Sequence, residues 1–120
     1  MCFATPNRVW WPEPSFVKIL FDQGTPAPLR RILNKHSVAT AYELGWTELD
    51  NGKLLAVAES NFDAFITTDK NLKYQQNLTT RRLAILVLPI GNWPQLRMHA
   101  ERIAATVDML KPGNFVEFEL

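Results

Sequence analysis

Residues 83–88 read LAILVL, six apolar side chains in succession with no polar alternation. A run this short and this uniform predicts a strand lying inside a sheet that is covered on both faces. Pro89 and Gly91 stop it. Upstream, AFIT at 64–67 predicts another strand, ending at Thr68 and Asp69, and Ser37 to Ala41 a further one, entered through His36. The series begins with FVKILF at 16–21, which runs into Asp22 and the turn-rich QGTP. Downstream, FVEF at 115–118 alternates apolar with polar, as an edge strand does.

Helical patterns fill the intervals. Thr25 is a candidate cap and Pro26 a first helical residue for APLRRILNK, with Leu29, Ile32 and Leu33 on one face. Tyr42 to Leu49 is a connection that turns at Gly45, and Asp50 or Asn51 caps a helix whose stripe is Leu54, Leu55 and Ala58. Asn71 to Asn77 predicts a weak helix or turns anchored by Leu72. Trp93, Leu96, Ala100, Ile103, Val107 and Leu110 recur at helical spacing and predict one long amphipathic helix, ended by Lys111, Pro112 and Gly113. Strands alternating with helices predict an α/β fold: a three-layer α/β/α sandwich around a mainly parallel sheet of about five strands.

One hundred and twenty residues suit a single domain. Pro6, Pro12 and Pro14 make 1–15 an irregular N-terminal extension, which leaves 16–120 as the domain. No apolar stretch approaches the roughly 18 residues of a membrane span, and no secretory leader is expected. A lone Cys2 excludes an internal disulfide and a thiolate metal cluster, so a reducing cytoplasm is the expected location. Thirteen basic and twelve acidic residues nearly cancel. Local basic groups remain at Arg30, Arg31 and Lys35 and at Lys70, Lys73, Arg81 and Arg82.

Asp22 and Asp69 follow the first and third predicted strands, at the end of a parallel sheet where ligands collect. Two close carboxylates repel, and a divalent cation resolves the conflict. Hard oxygen donors point to Mg2+ or Mn2+, which would polarise a phosphodiester and activate water. The plainer reading of each aspartate is a helix cap. Glu43 follows the second strand and Asn92 the fourth; surface carboxylate and helix cap are their plainer roles. Asp50 reads as a cap and Asp63 as belonging to the opposite end of the sheet. Thr67 and Thr68 could orient Asp69 or a phosphate oxygen, and Trp46 could stack on a base or cover the core. His36 and His99 share no metal-ligand spacing, and neither a Walker loop nor a Rossmann glycine signature is present.

The segments KILFDQGTPAPLRRIL at 18–33, TAYELG at 40–45, LLAVAESNFDAFITTDKNL at 54–72 and the strand LAILVL together resemble the compact PIN-like domains related to toxin ribonucleases of toxin-antitoxin pairs. The resemblance covers about residues 17–118 and implies a metal-dependent ribonuclease. It assigns Asp22, Glu43 and Asp69 as catalytic metal ligands, with Asn92 at the weaker fourth position, and Arg30 or Arg31 on the substrate, to which Thr68 is added by its place beside Asp69. RNA as substrate, an antitoxin protein as partner and a homodimer are implied by the same resemblance. Two other readings stand beside it: a catalytically degenerate PIN-like interaction module, and a receiver-like phosphoacceptor domain, which also uses aspartates after its first and third strands.

Overall fold

A computed structural model describes residues 17–72 and 82–120. The N-terminal extension, Lys73, Arg81 and most of the 71–77 segment lie outside the described residues. Five strands, β1 (Lys18–Phe21), β2 (Ser37–Thr40), β3 (Ala64–Thr67), β4 (Ala84–Val87) and β5 (Phe115–Glu117), form one sheet in the order β2-β1-β3-β4-β5. Every pairing is parallel. All carboxyl ends therefore lie on one rim and all amino ends on the other.

Alternation along the strands sorts the core into two faces. Ile19 and Phe21 join Ile66 and Leu86 against the 3-10 helix Ala27–Leu33 and two helices after β4. Leu20 joins Phe65, Ile85 and Val87 against Leu54, Leu55 and Ala58 of α2 (Asn51–Asn61). Each residue of β3 and β4 is buried, which accounts for the unbroken apolar reading of LAILVL. Helices thus cover both faces of a parallel sheet. Among the described residues, no helix is long and apolar enough to cross a membrane.

Three local elements differ from expectation. The segment after Pro26 is a 3-10 helix, with Pro26 rather than Thr25 at its N-cap and no side-chain cap. The connection after β2 contains a short helix, α1 (Ala41–Leu44). Thr40 caps it through the Glu43 N–H, Glu43 returns a bond to the Thr40 N–H, and Gly45 at φ 74° closes it in the left-handed region. The expected long helix is two, α3 (Trp93–Arg97) and α4 (Ala100–Asp108). His99, at φ −116° and ψ 22°, leaves helical geometry between them, yet Leu96, Ile103, Val107 and Leu110 stay buried in one cluster, so the stripe keeps its phase across the break.

The amino rim is stapled by His36. Its Nδ1 accepts the Val17 N–H at 3.1 Å, which leaves the proton on Nε2, 2.9 Å from Asp108 Oδ1. Lys35 Nζ lies 2.8 Å from the other Asp108 oxygen. Asp63 accepts the Lys18 N–H at 2.9 Å on the same rim, away from the carboxyl ends, as its place before β3 predicts.

Candidate functional site at the carboxyl rim

From β1 the chain crosses to β2 on one side, then returns to β3 on the other. The winding direction reverses between β1 and β3, and the crevice beyond the strand ends at such a reversal is where open α/β sheets bind ligands. Asp22 directly follows β1 and Asp69 lies two residues past β3, the two strands between which the winding reverses.

Asp22 continues the ladder one residue past β1, donating its N–H to the Ile66 carbonyl at 3.2 Å. Its Oδ1 accepts the N–H groups of Gly24 at 3.1 Å and Thr25 at 3.0 Å, an Asx-type turn that folds the chain away from the sheet. The buried Thr25 hydroxyl sits 2.7 Å from that oxygen and 2.9 Å from the Ile66 carbonyl. Asp22 Oδ2 accepts from the Thr67 hydroxyl. The Thr67 oxygen in turn accepts the Asp69 N–H at 3.0 Å. One buried hydroxyl therefore joins the carboxylate after β1 to the backbone of the acid after β3. Asp69 Oδ1 accepts the Asn71 N–H at 3.0 Å, so this acid also folds its own loop.

The loops after β1, β3 and β4 touch at this rim. A Cβ on Gly24 would collide with the Thr68 hydroxyl, and one on Gly91 would come within 2.9 Å of the Gly24 carbonyl oxygen. Thr68 is wedged between these glycines. Asn92 accepts the Gln95 N–H at 3.0 Å as the N-cap of α3. Asp50 likewise caps α2, accepting the Lys53 N–H at 2.9 Å. Trp46 packs on the core and meets Phe62 edge-on at 6.2 Å between ring centroids.

Glu43 is engaged elsewhere on the rim. Its Oε1 accepts the Thr40 N–H at 3.0 Å and Arg30 Nη2 at 2.5 Å. The Arg30 hydrogen bond, followed by that from the Thr40 backbone, holds the Glu43 carboxyl below its usual range; Glu43 in turn raises the Arg30 guanidinium. Arg31 is exposed on the same 3-10 helix. Among the described residues, no group of three or more His, Cys, Asp or Glu side chains is arranged to hold a metal ion. Of the acids expected to converge, Asp22 is joined through Thr67 to the backbone of Asp69, and Glu43 is tied to Arg30.

Thr67 was legible beside Asp69, Thr25 read only as a helix cap rather than as a partner of Asp22, and the Thr40–Glu43 pairing was missed. The last had a visible signal: threonine followed three residues later by glutamate is a capping box. The chain matches no family model, and no curated protein or solved structure matches it.

Proposed function

We propose that this chain is a divalent-metal-dependent phosphodiesterase of the PIN-like kind, acting on RNA, with Asp22 and Asp69 as the carboxylates for Mg2+ or Mn2+. The observation that carries the reading is the Thr67 hydroxyl, which joins the Asp22 carboxylate to the Asp69 backbone N–H at the reversal point of a parallel sheet. The donor set suits a hard cation, because magnesium commonly takes one or two protein carboxylates and completes its shell with water and substrate phosphate. Such an ion, when bound, activates water and stabilises charge on the leaving oxygen. The chain's own part is to fix Asp22 through four donors and to present a basic group beside the rim. A toxin role, an antitoxin partner and a homodimer belong to this reading through the PIN-like resemblance.

Asp22→Asn and Asp69→Asn are each expected to lower manganese-dependent cleavage of single-stranded RNA by at least roughly 100-fold, with folding retained. Chelator should have the same effect on the unaltered chain. Undiminished cleavage by the doubly substituted protein ends the proposal.

The engagement of Glu43 with Arg30 and of Asn92 with Gln95 favours a second reading, a PIN-like interaction module without catalysis. Calorimetric titration with manganese separates the two, since the module predicts no carboxylate-dependent heat. The strand order, shared with receiver-type phosphoacceptor domains, supports a third reading. A mass increase at Asp69 after acetyl phosphate treatment is its signature.

A further inference from the structure

We propose that Glu43 is a positioning residue that holds the Arg30 guanidinium at the carboxyl rim to receive a backbone phosphate of a single-stranded RNA. The identity of the polyanion rests on the nuclease reading; the placement of the guanidinium does not.

Register brings the pair to the rim. Thr40 lies opposite Phe21, the residue before Asp22, and Glu43 follows Thr40 by three positions, in α1. The 3-10 helix that leaves the Asp22 turn carries Arg30 to Glu43. Glu43 Oε1 serves two donors, the Thr40 N–H and Arg30 Nη2. Exposed ion pairs ordinarily contribute little, because two long side chains must be ordered together. Here one partner is fixed beforehand: the capping box holds Glu43 whether or not Arg30 is present.

Arg30 shows the effect of being held. Its Nε is buried with no hydrogen-bond partner among the described residues, an unfavourable state for a donor, while the side chain as a whole is 41% exposed. A guanidinium free to choose would turn that N–H to water. The guanidinium is thus partly buried at Nε and partly exposed to solvent, and its planar fork matches phosphate geometry. Arg31, exposed one position on, lacks this clamp among the described contacts.

The test uses the full chain and a fluorescein-labelled single-stranded RNA of mixed sequence, titrated in chelator so that binding is read without cleavage. Glu43→Gln keeps the capping box, since glutamine serves in it as well, and removes the charge that grips Arg30. Arg30→Ala should weaken RNA binding about tenfold, the scale of one hydrogen bond to a charged group. Glu43→Gln should weaken it by a smaller factor, and the double variant should match Arg30→Ala. Lys111→Ala, which removes one positive charge at the opposite rim, should stay within about twofold. Manganese titration of Glu43→Gln should reproduce the unaltered chain. The proposal is overturned by tighter RNA binding in Glu43→Gln, by unchanged binding in Arg30→Ala, by no RNA affinity in the unaltered chain, or by loss of manganese heat in Glu43→Gln alone. Absence of manganese heat from the unaltered chain, with the RNA results as expected, would instead remove the nuclease reading and leave Glu43 in its role.

Discussion

Thr67 shows how much one hydroxyl can decide. It is buried at the end of β3, gives its proton to Asp22 and takes the Asp69 N–H, so it aligns two loops that are distant in sequence. Thr67→Val preserves shape and β preference but leaves that N–H without its acceptor. The expected cost is about 1–3 kcal/mol of stability by urea denaturation. A loss below a few tenths would show that the hydroxyl is not what joins the loops. At this scale the aspartates were legible, because an acid directly after an apolar run stands out. Thr67 was legible as a residue that orients Asp69, but its bond to Asp22 was not, because that partner belongs to another strand, 45 positions away.

At the scale of elements, short-range chemistry was legible and irregularity was not. Asp50 heading α2 and the β3 boundary at Thr67 could be read directly, since each depends on neighbours within a few positions. The break at Met98 and His99 escaped because a stripe that stays in phase looks the same with or without an interruption. The 3-10 form of Ala27–Leu33 escaped because its buried anchors, Leu29 and Leu33, also fit an α-helix. Contact between loops is equally hidden. Gly91→Ala should destabilise by about 1–3 kcal/mol, because its nearest neighbour is a backbone carbonyl that cannot rotate aside. Gly24→Ala should cost less, since it meets a side-chain hydroxyl; equal losses in urea denaturation would contradict that ordering.

For the molecule as a whole, acid sensitivity follows from the depressed carboxyls. Burial pushes the Asp108 carboxyl upward, but hydrogen bonds from Lys35 and His36 outweigh it and hold the carboxyl below its ordinary value; Glu43 is lowered chiefly by Arg30. A carboxyl depressed on folding contributes stability that is fully present above its unfolded value, near pH 4, and is lost as pH falls through the folded value. Thermal unfolding midpoints should therefore drop below about pH 4, and Asp108→Asn should flatten part of that slope. An unchanged slope would mean that the His36 staple contributes nothing to the pH dependence. Neither partner pairing was legible, since 72 positions separate His36 from Asp108 and only the sheet brings them together.

The bare meeting of Gly24 with Gly91 also limits how this scaffold could be redesigned. Backbone faces backbone there, so no larger residue can be introduced to reshape that wall of the crevice without prying the sheet's connections apart. New ligand preferences would have to be built from the flank bearing Arg30.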